Sequence, residues 1–421
     1  PPRLWPHKRA YYGWAVVGAA FLASFGEVPA FGPILGLFIK PIESELGWSR
    51  SAIALGFTIG SASGAIASLA VGRIVDRYGP RWVVGIGGIL IVLSLSGLSQ
   101  IQEPWHFWTL FGIARGSAIA GIDLGASVAI AKWFVRRRGR ALGIKGMGLR
   151  SGQAALPIFV FSIMSISDWR TAYLALAMLA AVTIVLPSLV YMRRRPEDFG
   201  MNPDGDSPTN GTDSDSKDQI ETSWTLSEAR RTKAFWAITF YLICTPFVQG
   251  ATNLHMVPHF QDRGLSDGLA FTTATLVGVM STISIIPASF ILDRVHVRKG
   301  AMIMAVFVGC SMVLLIIATS FWQAVLFSLV YGVAGGMRMI IETKLVADYF
   351  GRDHLGAIKG FMAPLRVVSP IGPLMAGLVF DTTGSYTLVL VGFGCISLFM
   401  ISMMIVAIPP TRVPETLRND L

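Results

Sequence analysis

The run WFVRRRGRALGIKGMGLRSGQAALP, residues 133–157, is echoed by YFGRDHLGAIKGFMAPLRVVSPIGP, residues 349–373, at a constant offset of 216 positions (349 − 133). Without a gap, Trp133-Phe134 meets Tyr349-Phe350, Ala141 meets Ala357, Leu149-Arg150 meets Leu365-Arg366, and Pro157 meets Pro373. Each copy closes one apolar segment, passes through a short basic loop and enters a second apolar segment with one arginine deep inside it. Internal repetition at this scale decides the fold before any local feature does. Parallel repeats built from apolar spans imply a secondary transporter of two halves around a central site. A matched pair of intramembrane arginines, one per half, implies that the site holds an anion.

Composition agrees with a membrane setting. Of 421 residues, 53% are hydrophobic and 14% charged, and the mean hydropathy is positive. A soluble domain carries about 25% charged residues. The 44 glycines and 17 methionines fit helices that approach closely in lipid. The net charge of +10 invites a nucleic-acid reading, which the placement of the charges rejects. Of 35 Lys and Arg, 24 lie at one set of loop ends, 4 (Lys40, Arg50, Arg170, Arg263) at the other, and 7 inside apolar segments. That asymmetry is the positive-inside pattern, which predicts cytoplasmic basic loops and cytoplasmic termini, here at the inner membrane. Cys244, Cys310 and Cys395 lie within apolar spans without metal spacing and read as small core residues. The first apolar stretch exceeds the length of a cleavable leader and reads as a span.

With about 20 residues per span, twelve spans are expected: 12–38, 51–72, 82–99, 105–131, 140–164, 171–192, 235–260, 267–292, 300–319, 322–347, 356–380 and 387–408. They divide the chain into an N-terminal six-helix half (1–192), a polar cytoplasmic linker (193–233) and a C-terminal half (234–421). The stretch from Glu197 to Glu221 is rich in Asp, Gly, Ser, Asn and Pro and predicts flexibility. The sequon Asn210-Gly211-Thr212 falls there and carries no weight on the cytoplasmic side.

After the second span comes Gly72-Arg73-Ile74-Val75-Asp76-Arg77-Tyr78-Gly79-Pro80-Arg81, echoed by Asp293-Arg294-Val295-His296-Val297-Arg298. This resembles the loop signature of the major facilitator superfamily. Gly72 is expected to allow close helix packing. Asp76 is expected to face the positive N-terminus of a helix in the other half, making and breaking contact as a gate with Arg77, Arg81, Asp293 and Arg294. A narrower resemblance is carried by Tyr11-Tyr12-Gly13-Trp14, Gly47-Trp48-Ser49-Arg50 and the run 133–143. These look like the monocarboxylate-porter and oxalate–formate branch. Arg195-Pro196-Glu197-Asp198-Phe199-Gly200, His255-Met256-Val257-Pro258 and Phe380-Asp381-Thr382-Thr383-Gly384-Ser385-Tyr386 look like its bacterial members. The resemblance spans the chain and implies the major facilitator fold and organic-anion transport. Animal members carry an Asp and an Arg inside span eight. Thr282 to Ser289 offers no charge, so that pair does not carry over.

Charges inside the membrane are costly and each is a functional hypothesis. At about 1.5 Å per residue, Arg150, Arg366, Asp123 and Arg338 all fall roughly 15 Å from the basic ends of their helices. Paired guanidinium forks suit a carboxylate, so Arg150 and Arg366, with Arg338 and Gln153, are the expected substrate ligands. Arg338 and Glu342, four apart on one helix, are expected to pair. Lys344 and Lys359 lie near enough to the surface to snorkel. Lys145 falls roughly 140° around its helix from Arg150. Seven intramembrane cations face three carboxylates (Glu27, Asp123, Glu342), or five face three once the snorkelling lysines are removed. A bound anion relieves that excess, and a cation worsens it.

The sequence therefore predicts an all-α membrane protein of twelve transmembrane helices in two pseudo-symmetric six-helix halves. It is expected to carry a small organic anion, a mono- or dicarboxylate, by alternating access with proton symport, as a monomer, without cofactor, metal or nucleic acid. Asp123, placed near the arginines, is the first candidate for the coupling proton, followed by Glu27, Glu342 and His255. Arg115 is similar in position to an arginine of proton-coupled drug antiporters, which keeps a cation exporter as a rival. Exchange without proton coupling is another.

Overall fold

The computed structural model describes residues 11–205, 224–351 and 354–409, and it is helical, with no strand among the described residues. In chain order the spans are α1 (Gly13–Leu46), α2 (Arg50–Tyr78), α3 (Pro80–Leu98), α4 (Pro104–Trp133), α5 (Arg138–Met164) and α6 (Trp169–Tyr191). The second half contains α7 (Lys233–Asp262), α8, α9 (Val297–Ile317), α10 (Phe321–Phe350), α11 (Leu355–Thr383) and α12 (Thr387–Val406). Eleven of these are long and apolar enough to cross a membrane by themselves. The twelfth, α8, joins Asp267–Ile283 to Ile285–Arg294 through a bend of 40°. The chain is a multi-pass, all-α membrane protein. Large apolar side chains such as Leu69, Leu93 and Trp322 lie exposed along the helices.

Several helices run further than the apolar pattern suggests. α1 continues through Lys40, Glu43 and Glu45 to Leu46, because these side chains find ionic partners at that end. α2 continues to Tyr78, so Gly72, Asp76 and Arg77 stand on its last two turns rather than in a loop. Gly79, at φ +84°, then makes the turn, a conformation open to glycine at little cost.

Besides the bend in α8, four spans are irregular where they cross the interior. α1 breaks between Gly26 and Gly32, where Pro29 sits in a single 3₁₀ turn. α4 widens into a π-helical stretch over Ser117–Asp123, and α6 does so over Ala181–Val185. α11 tightens to a 3₁₀ turn at Arg366–Val368 between Pro364 and Pro370. Proline removes a backbone donor and clashes with the preceding turn, which accounts for the breaks in α1 and α11. Thus the repeated arginines sit differently: Arg150 lies in the continuous helix of α5 and Arg366 at a kink of α11.

Glycine sets the distances between helices. A Cβ on Gly148 would lie 2.2 Å from the Phe21 carbonyl oxygen, clamping α5 to α1. A Cβ on Gly278 would lie 2.7 Å from the backbone of Ala154, joining α8 to α5 across the two halves. Gly72 does not follow this pattern. A Cβ there would meet nothing within 4 Å, so the close packing expected of it is absent. Nor are the cysteines core residues: Cys310 and Cys395 are exposed and Cys244 is half-buried, since small residues also serve on faces turned to lipid.

The halves touch at one end and part at the other. At the end away from the basic loops, Asp267–Ile283 packs on α5, Ile371–Thr383 on α2, and Gly32–Leu46 on α7. Toward the basic end, the continuations Ile285–Arg294 and Leu355–Leu365 pack chiefly within their own half.

Between the halves, residues 206–223 lie outside the described residues, and with them Asn210 and Glu221. The part before them is folded onto the first half. Val135, Arg136 and Arg137 donate backbone N–H bonds of 2.9, 2.8 and 3.1 Å to the Asp204 carboxylate. Burial pushes the Asp204 carboxyl up, and the three donors outweigh that and hold it below its ordinary value.

Candidate functional site

The intramembrane charges separate into two clusters. In the second half, Arg338 Nε donates to Glu342 Oε1 at 2.8 Å, one turn along α10. Arg366 Nη2 reaches the other oxygen of Glu342 at 3.4 Å, so one carboxylate bridges two guanidinium groups from two helices. Arg338 Nη1 also donates to Gln249 Oε1 of α7 at 2.9 Å. The Nε2 of Gln249 is buried without a partner among the described residues. From the first half, Arg150 Nη2 donates to the Gly335 carbonyl of α10 at 3.3 Å, and its Nη1 to Gln153 at 3.2 Å. Three guanidinium groups thus converge on α10, two of them on the Glu342 carboxylate and the third on the Gly335 carbonyl. Arg338 and Arg366 are 26% and 36% exposed, which leaves them open to solvent from the splayed, basic end.

The other cluster lies within the first half. Lys145 Nζ pairs with the Asp123 carboxylate and donates to the Asp123 carbonyl at 3.0 Å and to Ser127 Oγ at 2.8 Å. Asp123 therefore stands with a lysine, not with the arginines as the sequence suggested. The π-helical stretch that ends at Asp123 changes the face it presents, and α5 presents Lys145 and Arg150 on different faces. Glu27, at the break in α1, is 1% exposed, and its Oε2 meets no hydrogen-bond partner among the described residues. Arg115 donates to the Ala30 carbonyl at 3.2 Å and to Ser61 Oγ at 3.3 Å. Its guanidinium lies over Phe31 and Phe57, 4.2 and 4.6 Å from their ring centroids. In this cluster two cations meet two carboxylates, so charges balance. In the other, three cations meet one. The excess of two positive charges read from the sequence is concentrated on Arg150, Arg338 and Arg366.

At the closed end, Arg50 joins residues from both halves. Its Nη1 and Nη2 grip the two oxygens of Asp262, the latter at 3.1 Å. Nε donates to Glu43 at 3.1 Å and Nη1 to the Tyr386 hydroxyl at 3.0 Å. The guanidinium stacks 3.7 Å from the Phe380 ring centroid and is 2% exposed. Lys40 makes a second ion pair to Asp262. Asp381 accepts the backbone N–H groups of Arg50 and Ser51, both at 3.0 Å, and so caps α2 from the other half. His255 belongs to this network and not to the arginine cluster. Its Nε2 meets the Pro373 carbonyl and its Nδ1 the Tyr386 hydroxyl, each at 2.9 Å. With Nε2–H as donor, Tyr386 donates to Nδ1 and accepts from Arg50, which leaves no donor idle.

At the basic end, Asp76 contacts Lys132 of α4 at 3.1 Å, in its own half, and its side chain is 74% exposed. The expected contact with a helix of the other half is not made here, because the halves are apart at that end. Arg77 and Arg81 lie over the neighbouring Tyr78 and Trp82 rings. Arg294 is exposed, as is Lys359, and the Asp293 side chain lies outside what is described.

Sequence reading missed two groups. Gln249, Asn253 and Tyr331 build the wall beside Arg338, with Tyr331 donating to Asn253 at 3.0 Å. Their signal was a polar pair four apart on an apolar helix. Arg50 and Tyr386 were seen only in separate motifs and Asp262 in none, although Lys40 and Arg50 are two of the four cations at that set of loop ends.

The family model of the Major Facilitator Superfamily matches residues 13–286 and 268–420. Monocarboxylate transporter 2 of Homo sapiens is 24% identical over 431 aligned residues, covering 94% of this chain and 85% of that protein. The agnestins efflux protein AgnL12 of Paecilomyces divaricatus is 25% identical over 335 residues, covering 78% and 70%. Among solved structures, that of the nucleoside transporter NupG superposes with a TM-score of 0.70 at 14% identity, over 94% of this chain and all of that one.

Proposed function

This chain belongs to the major facilitator superfamily and is a transporter rather than an enzyme, and we propose that it carries a small organic anion across the cytoplasmic membrane by proton symport and alternating access. The observation that carries the proposal is the charge imbalance inside the membrane: Arg338 and Arg366 share the single carboxylate of Glu342, while Arg150 reaches the same helix at the Gly335 carbonyl. At about 6 Å and an effective dielectric near 20, two like charges repel by about 3 kcal/mol. An anionic substrate removes that repulsion, and a cation adds to it, which disfavours the exporter reading built on Arg115. The monocarboxylate transporters among the relatives support a carboxylate as the anion. A carboxylate fits because a planar fork grips its two oxygens at once.

In this proposal the basic loops are cytoplasmic, so the conformation faces inward, with the outer end latched at Arg50. Arg150 from one half and Arg366 with Arg338 from the other hold the anion, and Gln153 orients Arg150. Glu342 takes the coupling role in preference to Asp123, because it occupies the guanidinium groups that the substrate needs. Protonating Glu342 frees Arg338 and Arg366 to bind the anion. Deprotonation returns the competitor and expels it. Proton and anion then travel together without touching. Asp123 and Glu27 remain a second, balanced acid cluster whose charge is matched by Lys145 and Arg115. On closure of the cytoplasmic end, Asp76 would leave Lys132 for a helix N-terminus of the other half, with Gly72, Arg77, Arg81, Asp293 and Arg294 at that seam. All of this is contained in one chain acting as a monomer. The test is uptake of labelled mono- and dicarboxylates into proteoliposomes under an imposed inward proton gradient. Uptake of a lipophilic cation in their place would overturn the proposal.

A further inference from the structure

The motifs Gly47–Arg50 and Phe380–Tyr386 have no part in the central site, yet the fold brings them together around one guanidinium. Asp262 occupies that guanidinium as a substrate carboxylate would, with two oxygens on two terminal nitrogens, and Lys40 adds a second cation to the same group. Parting the halves at the outer end must separate Arg50 from Asp262, Tyr386, Phe380 and Asp381, all of which belong to the second half. Of its acceptors, Glu43 alone among those named is on its own half. Two cations, Lys40 and Arg50, then face one carboxylate in a newly opened mouth, and an uncompensated cation in such a place is costly.

We propose that Arg50 is a second anion site, at the outer mouth. When the latch opens, its fork passes from Asp262 to the carboxylate of an incoming anion, so that anion and Asp262 exchange on one guanidinium. The ligand class is a carboxylate anion, chosen by the bidentate geometry of the fork and by the second cation, Lys40. Opening is thereby coupled to arrival of substrate: the anion offsets what the latch loses, and it is drawn to the mouth from outside. The proposal rests on the anion-transport reading above, and its test keeps the two separable.

Spin labels at Ser44→Cys and Ser266→Cys, one on each half at the outer end, report opening by their distance distribution in lipid nanodiscs, with Cys244, Cys310 and Cys395 replaced by serine. Pyruvate and succinate are the probes and chloride the control. Both carboxylates should increase the long-distance population where chloride does not. The half-maximal concentration should fall at least tenfold in Asp262→Asn, which removes the internal competitor, and rise at least tenfold in Arg50→Lys, which keeps a charge to pair with Asp262 but loses the fork. The response should persist in Arg366→Gln, in which the central site is disabled. An unchanged half-maximal concentration in Asp262→Asn and Arg50→Lys overturns the outer site. A response lost in Arg366→Gln and kept in Arg50→Lys also overturns it, while leaving the central reading intact. A response that survives in Arg366→Gln, needs the Arg50 fork, and occurs in a protein that transports no carboxylate would support the outer site and sink the central reading alone.

Discussion

Arg366 and Arg150 occupy equivalent positions of the repeat, but their surroundings differ. Arg366 shares Glu342 with Arg338, whereas Arg150 reaches across to the Gly335 carbonyl. Arg366→Lys should reduce transport at least tenfold with expression and thermal stability unchanged, because an ammonium cannot reproduce the two-point grip on a carboxylate. Arg150→Lys should do the same if both halves hold the ligand. Near-normal uptake and affinity in purified Arg366→Lys would make this arginine a structural partner of Glu342. Glu342→Gln imitates the protonated acid at all pH values. It should retain counterflow exchange of labelled for unlabelled anion, lose proton-driven accumulation, and lose the pH dependence of anion binding. Asp123→Asn should keep uphill transport, since Asp123 answers to Lys145. Accumulation preserved in Glu342→Gln and abolished in Asp123→Asn would exchange their roles. At this scale the sequence was informative about which residues are charged and at what depth, because charge in an apolar span is conspicuous. The pairing was less legible: the π-helical stretch in α4 and the kink in α11 rotate side chains in a way that ideal helical spacing does not anticipate.

Among elements, the repeat at 133–157 and 349–373 located α5 and α11 and the two halves, since apolar length and basic loops are written directly in the sequence. Helix ends were harder to read. Glu43, Lys40 and Asp76 lie on helices that outlast their apolar runs, held by ion pairs the sequence does not display. The clamp at Asp204 was hidden for the same reason, within a stretch whose composition suggested only flexibility. Asp204 has φ +61°, which Asp and Asn tolerate better than most residues. Asp204→Asn therefore isolates the carboxylate charge, and amide hydrogen exchange at Val135 to Arg137 should quicken about tenfold, the loss of roughly 1.4 kcal/mol from charge-assisted bonds. Its carboxyl titrates below the ordinary value in the folded protein. The clamp's contribution is thus complete above the ordinary carboxylate range near 3.9 and lost as pH falls through the lowered value. Exchange at these amides that is slow in both proteins would show that the loop is held by something other than Asp204. Gly148→Val tests the helix spacing in α5: with a Cβ 2.2 Å from the Phe21 carbonyl, it should displace α1 from α5 and lower the midpoint of thermal unfolding by several degrees. Gly72→Val, where a Cβ meets nothing within 4 Å, should leave that midpoint unchanged.

For the whole molecule, the two ends are alternatives. The end away from the basic loops is latched through Arg50, Asp262 and Tyr386, and the basic end is parted, with Asp76 on Lys132. Asp76→Asn should therefore slow turnover several-fold with little change in anion affinity, because it biases the conformational equilibrium and does not touch substrate. Weakened binding at unchanged turnover would contradict a gating role. The central claim is that the surplus of guanidinium charge around Glu342 binds an anion whose movement is tied to that of a proton. The most direct measurement is accumulation of labelled pyruvate and succinate in proteoliposomes, with and without an inward proton gradient, in wild type and in Glu342→Gln. The account predicts uphill accumulation of at least one carboxylate with the gradient, collapse of that accumulation on adding a protonophore, and exchange without accumulation in Glu342→Gln. Equal accumulation with and without the gradient, or gradient-driven accumulation that survives in Glu342→Gln, would contradict it.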